Sequence, residues 1–292
     1  MSMNVERIVL HGRRIAYSDS GPRTGIPVLL CHGLPGAHVQ VPSHTVLHQY
    51  GIRMIIIDRP GFGLSDPQPT RTIDGWRYDA LAVLDHLHIE RVVLLPFSAG
   101  TPYALAVASK HPERVSRIHV VSGMGLTTKV DIAQMSWFNR VQHSFGHSTP
   151  TFVNDIVASV SNVVIGKGPK AGRFGIWLMR NTFTPTENIY AKANEGQIFR
   201  DMLAESFRQG YHSYLQDLGL ITVDWGVDIT PITHPITCWY GDADRITPPS
   251  AGDKIRQYLP QTTMRVFPGV GHLLIFMHWD ELIAHLASEA HA

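Results

Sequence analysis

Cysteine is nearly absent from this 292-residue chain, with Cys31 and Cys238 alone. Two thiols cannot build a disulfide scaffold, so a packed core has to hold the fold. Each lies in an apolar, strand-like run and reads as a small buried hydrophobe. Long apolar runs are missing as well. No stretch approaches the ~20 residues that span a bilayer, and Met1 to Arg7 has no apolar signal-peptide core. The expectation is a cytoplasmic protein with no membrane partner. An excess of charge of one sign is also lacking: 25 Lys and Arg stand against 24 Asp and Glu, with no basic run. That argues against nucleic acid as a partner. Repeats and low-complexity segments are absent. What remains is 44% hydrophobic and 17% charged, a globular composition long enough for a large core.

The first 125 residues alternate strand and helix signals. Arg7 to Leu10 and Arg14 to Ser18 flank a His11-Gly12-Arg13 turn and predict a hairpin. Pro27 to Cys31, Arg53 to Ile57, Arg91 to Leu95 and Arg117 to Val121 are short continuous apolar runs that suit a parallel sheet covered on both faces. Trp76 to Leu87 and Ala99 to His111 have helical spacing. From 126 to 230 no strong strand run appears, and the aromatic-rich sequence reads as several helices. The rhythm resumes with strands at Pro235 to Tyr240 and Met264 to Phe267, and helices at Ser250 to Tyr258 and from Asp280. The division expected is an α/β core formed by 1–125 and 231–292, with a helical cap at 126–230 inserted at the end where parallel sheets bind ligands.

Pro96-Phe97-Ser98-Ala99-Gly100 joins an apolar run to a helical one. A serine on a strand-to-helix turn is the nucleophile elbow, usually G-x-S-x-G; here proline replaces the first glycine. Proline fixes φ and cannot donate to a sheet ladder, and at the end of the strand both effects are tolerable. A serine also needs a base, a group to orient that base, and oxyanion donors. His272 comes after a strand, at the end of Pro268-Gly269-Val270-Gly271-His272, and is the base candidate. Asp244, after the strand Pro235 to Tyr240, is the acid candidate, with Asp242 as competitor or turn former. The order Ser98, Asp244, His272 is that of α/β-hydrolases.

The loop His32-Gly33-Leu34-Pro35-Gly36 comes directly after a strand. The N–H groups of Leu34 and Ala99 are the candidate oxyanion donors, since Pro35 has none. His32 reads as structural, through hydrogen bonds to neighbouring loops. Asp58-Arg59-Pro60-Gly61-Phe62-Gly63-Leu64-Ser65-Asp66 lacks a phosphate-loop ending and also reads as structural. His44 and His48 read as a surface pair, so no metal and no cofactor are expected. Met124, after a central strand, is the candidate substrate contact. The nine Lys and Arg and nine Asp and Glu of 126–230 supply no field for a charged substrate.

Over nearly its whole length, through H-G-x-P-G, D-R-P-G-x-G-x-S-D, the elbow, G-x-x-D and G-x-G-H, the chain resembles the α/β-hydrolase-fold superfamily. The resemblance implies a mostly parallel sheet of about eight strands flanked by helices, with Ser98 as nucleophile, Asp244 as acid, His272 as base, and Leu34 and Ala99 as oxyanion donors. The implied function is a serine hydrolase cleaving a carboxylic ester or lactone of a small to medium apolar substrate, as monomer or homodimer. The alternative is a non-esterase member: a C–C bond or amide hydrolase, a lyase, a cofactor-free oxygenase or a ligand-binding protein. Aspartate-nucleophile members such as epoxide hydrolases and haloalkane dehalogenases do not match the serine at 98.

Overall fold

A computed structural model describes residues 5–125 and 150–290. Eight strands form one sheet: β1 Val5–Leu10, β2 Arg13–Ser20, β3 Ile26–Cys31, β4 Ile52–Ile57, β5 Val92–Pro96, β6 Val115–Val121, β7 Ile236–Gly241 and β8 Thr262–Phe267. Their order is β1-β2-β4-β3-β5-β6-β7-β8. β1 and β2 pair antiparallel, as does β2 with β4, and every other pairing is parallel. His11 and Gly12 both have positive φ, 50° and 76°. That is the backbone a two-residue hairpin needs to match strand twist.

Alternation along the strands builds two cores. In β4, Ile55 and Ile57 face one cluster, while Ile52, Met54 and Ile56 face the other. The first layer is closed by α2 (Trp76–His86), α3 (Thr101–Lys110) and a later helix, Ser250–Tyr258. The second is closed by α1 (His44–Gln49) and the C-terminal helices Leu274–Met277 and Trp279–Ala290. Cys31 and Cys238 are buried, and burial pushes both thiols up to about 12, which leaves them inert packing groups.

Between β6 and β7, the regular elements among the described residues are helical: α4 Thr151–Val164, α5 Pro169–Met179, α6 Pro185–Tyr190, α7 Gln197–Ser206 and α8 His212–Ile221, with one short 3₁₀ turn at Asn194–Gly196. After β7 come α9 Ser250–Tyr258, α10 Leu274–Met277 and α11 Trp279–Ala290. Residues 126–149 of the expected cap lie outside the described residues. Among the described residues no helix is long and apolar enough to cross a membrane.

Pro96 is the last residue of β5 and is buried. The next residue, Phe97, donates its N–H to the Cys31 carbonyl on the β3 side, at 3.0 Å. Residues alternate sides along a parallel strand, so Pro96 turns its nitrogen toward β6. There the pairing runs to Leu94↔Ile118, lapses, and resumes at Phe97↔Val121. The proline therefore costs the sheet one ladder bond at its end and leaves the adjoining elbow intact.

Candidate active site

Ser98 sits just past β5 on a backbone with φ 51°, a left-handed conformation that is strained for a residue with a side chain. Packing holds it there. The Phe97 carbonyl accepts the Gly100 N–H at 2.8 Å, and Gly100 lies so close to β3 that a Cβ would sit 1.9 Å from the Cys31 carbonyl oxygen. The glycine kept at the far end of the elbow is thus the one the helix approach requires.

His272 Nε2 lies 3.1 Å from Ser98 Oγ, and its Nδ1 lies 2.9 Å from Asp244 Oδ2. All three residues are buried. The other carboxylate oxygen of Asp244 accepts the N–H groups of Ile246 (2.8 Å) and Thr247 (2.9 Å). That leaves Oδ2 to fix the imidazole with Nδ1 protonated and Nε2 free to accept from the serine. Asp242, the competing carboxylate, is exposed and accepts the Gly269 N–H at 2.7 Å, so it shapes a turn.

The two peptides proposed as oxyanion donors are held from behind. The Gly33 carbonyl accepts from Arg59 Nη2 at 2.9 Å and lies 2.9 Å from His32 Nδ1. A trans peptide is planar, so pinning that oxygen aims the Leu34 N–H the opposite way. The Ser98 carbonyl accepts from Thr101 Oγ1 (2.8 Å) and the Met124 N–H (3.2 Å), which fixes the Ala99 N–H likewise. Among the described residues neither N–H has a protein acceptor. Fixed, unspent donors are the arrangement that stabilises a developing oxyanion.

His32 is fully buried, and its Nε2 accepts the Arg59 N–H at 3.1 Å. Burial, reinforced by the Arg59 charge, holds it well below the usual histidine range. It is a neutral spacer between loops. Arg59 also reaches Asp217 Oδ2 on α8 at 2.8 Å, and Arg71 binds Asp217 Oδ1 at 2.6 Å. Burial alone would raise the Asp217 carboxyl, but the two guanidiniums outweigh it and hold it below the usual range. The D-R-P-G loop is therefore structural, and it ties the Leu34 loop to the helices after β6.

A cavity of about 130 Å³ opens on Ser98 and His272. Leu34, Phe97 and Ile246 come from the sheet ends, and most of the wall comes from the segment between β6 and β7, including Phe174 on α5, Met202 on α7 and Tyr214 on α8. No Lys, Arg, Asp or Glu is among the described lining residues. Met124 is not in this wall. Its side chain packs against the first core cluster, and its backbone N–H reaches the Ser98 carbonyl. Ser122 at φ 43° turns the chain after β6, and a side-chain direction set by that turn is not legible in the residue order. Sequence reasoning also missed Thr247, whose Oγ1 is 2.7 Å from the Ser122 carbonyl and 3.1 Å from both Asp244 Oδ2 and His272 Nδ1. It missed Glu187, which contacts the His272 loop from α6. His44 and His48 sit on the exposed face of α1 with their Nε2 atoms 3.0 Å apart.

The alpha/beta hydrolase fold family model matches residues 26–278. The chain belongs to the α/β-hydrolase fold family. Among curated relatives, a 2-hydroxymuconate semialdehyde hydrolase of Pseudomonas putida is 26% identical over 98% of this chain and 94% of its own length. An uncharacterized hydrolase of Bacillus subtilis is 32% identical, but over 42% of this chain and 43% of its own. Among solved structures, a hydrolase from Pseudomonas aeruginosa aligns with a TM-score of 0.73 at 17% identity, over 99% of both chains. At that identity the likeness is one of fold. Family and relatives together support a hydrolase and leave the bond it cleaves open.

Proposed function

We propose that the protein hydrolyses a carboxylic ester or lactone of a small, neutral, apolar substrate through an acyl-enzyme on Ser98. The observation that carries this reading is the unbroken run from Asp244 through His272 to Ser98 Oγ, ending in an apolar cavity. Ser98 Oγ attacks the carbonyl carbon as His272 Nε2 takes its proton. The N–H groups of Leu34 and Ala99 hold the oxyanion. His272 returns the proton to the leaving oxygen, and water, deprotonated by the same nitrogen, releases the acid. Asp244 stabilises the imidazolium formed in each half-reaction. The described helices between β6 and β7, Thr151 to Ile221, act as a cap, walling the cavity and keeping bulk water from the oxyanion.

The second reading is carbon–carbon bond hydrolysis, favoured by the Pseudomonas putida relative and by another named for a nonadienedioate. A dioate carries two carboxylates, and the described wall offers no cation to meet them. Structural neighbours named as an enol-lactonase and as carboxylesterases share the fold and fit the first reading.

The test is turnover of short-chain nitrophenyl esters and simple lactones beside an anionic dienoate C–C substrate. The expected result is ester or lactone turnover that falls by a factor on the order of 10⁴–10⁶ in Ser98→Ala. Faster cleavage of the dienoate than of any ester would move the assignment to the second reading.

A further inference from the structure

Glu187 is fully buried on α6, the short cap helix beside the His272 loop. It closes a capping box with Thr184: Glu187 Oε2 accepts the Thr184 N–H at 2.8 Å, and Thr184 Oγ1 accepts the Glu187 N–H at 3.2 Å. A capping-box glutamate needs only one oxygen for that purpose. The second, Oε1, crosses to the core and accepts the N–H of Leu273, the residue after His272. On the other side of His272, a Cβ at Gly271 would lie 2.1 Å from Glu187 Oε2. The carboxylate is therefore seated against the residues flanking the base. One turn further along α6, the Tyr190 hydroxyl donates to the Phe276 carbonyl at 3.2 Å, so the helix grips the same segment twice.

We infer that Glu187 is a positioning residue for His272. The Leu273 N–H belongs to the peptide plane that begins at the His272 carbonyl, and holding that plane fixes ψ of His272. With Nδ1 on Asp244 Oδ2, the base then has one mount on its backbone and one on its ring. Glu187 comes from the cap, while Asp244 comes from the sheet. The ring meets Ser98 at its 3.1 Å distance when both are in place, which makes the cap part of the catalytic machinery as well as a wall. This inference rests on the serine-hydrolase reading.

The test measures two quantities in Glu187→Ala, Glu187→Gln and Thr184→Ala: the rate of fluorophosphonate labelling at Ser98, and kcat and KM on a nitrophenyl ester. A displacement of about 1 Å at a catalytic group costs on the order of 10²-fold. Glu187→Ala should lose about 10- to 100-fold in both labelling rate and kcat, with KM within about threefold. Glu187→Gln keeps an oxygen for Leu273 and should recover most of that loss. Thr184→Ala breaks one bond of the capping box but leaves the Thr184 and Leu273 N–H groups on the carboxylate. It should lower Tm and leave kcat near wild type. If Glu187→Ala does not fold, Glu187→Asp, one methylene short of Leu273, carries the comparison and should lose about tenfold. Labelling at the wild-type rate in Glu187→Ala or Glu187→Asp would overturn the inference, as would equal kcat losses in the Glu187 and Thr184 variants. Wild-type protein that does not label would instead overturn the hydrolase reading itself, and this inference with it.

Discussion

Two aspartates stand at carboxyl ends of strands or just beyond, each with a histidine Nδ1 on its Oδ2, and the proposed chemistry gives them different work. After β7, Asp244 holds His272 at 2.9 Å; after β4, Asp58 holds His38 at 2.7 Å. Both aspartates are buried and both use the second oxygen for backbone N–H groups; Asp58 Oδ1 takes the His38 N–H at 2.7 Å and its Oδ2 also takes Leu64 N–H at 2.9 Å. The difference lies on the far side of the ring. His272 Nε2 faces a serine on a strained elbow at the edge of a cavity, and His38 is absent from that cavity wall. An Asp–His pair is thus a means of fixing a ring, and the group that meets the free nitrogen decides whether the ring is a clamp or a base.

Removing each carboxylate in turn should separate the two roles most widely. Asp244→Asn should lower kcat on an ester by a factor on the order of 10⁴, as loss of the orienting acid does in a serine triad, beside a stability cost of about 1–3 kcal/mol for its own buried bonds. Asp58→Asn should carry a similar stability cost of about 1–3 kcal/mol for its buried bonds but change kcat of the folded protein less than tenfold. Urea unfolding and steady-state kinetics on the two variants check the pair, and equal losses of kcat would erase the distinction.

The meeting of Ser98, Asp244 and His272 was legible in the sequence, for a physical reason. Ser98, Asp244 and His272 each come after a recognisable apolar strand, and parallel strands deliver the loops at their carboxyl ends to one edge of the sheet. The hairpin, the strands and α9 also come from local pattern. Their limits shifted where edges fray: β8 begins at Thr262 rather than Met264, and β5 takes in Pro96. Contacts made by packing alone were not legible. Arg59 meets Asp217 158 residues away, and Glu187 meets Leu273 86 residues away, with no periodicity to announce either. Thr247 lies three residues from Asp244, but its role depends on a turn that brings it back onto the imidazole.

pH should distinguish the structural histidines with opposite signs. Burial would depress His38, yet the bond and charge of Asp58 outweigh it and hold it above the ordinary histidine value. Its contribution to stability is complete below about 6.5 and is lost as pH rises through its raised folded value. His119 lies on β6 among His285, Arg117, Arg265 and Glu289, and burial, reinforced by the nearby positive groups, lowers it to about 3. The unfolded chain takes up that proton first, so stability falls as pH drops from about 6.5 toward 3. Tm measured against pH should flatten on the acid side in His119→Leu and on the neutral side in His38→Gln. An unchanged acid slope in His119→Leu would contradict the burial argument.

The smallest effect concerns the elbow itself. Pro96→Gly restores the usual first glycine of the motif, and it should cost about 1 kcal/mol through the freer unfolded chain while ester turnover stays within about fivefold. A gain or loss well beyond that would mean that Pro96 sets the position of the Ala99 N–H as well as ending β5.

Activation of Ser98 by His272 is the step on which the proposed chemistry depends. Its most direct test is mass spectrometry of the folded protein after reaction with a fluorophosphonate. A single adduct is expected on the peptide containing Ser98, absent in Ser98→Ala and formed far more slowly in His272→Gln. Folded wild-type protein that stays unmodified, or carries its adduct elsewhere, would contradict that role for Ser98.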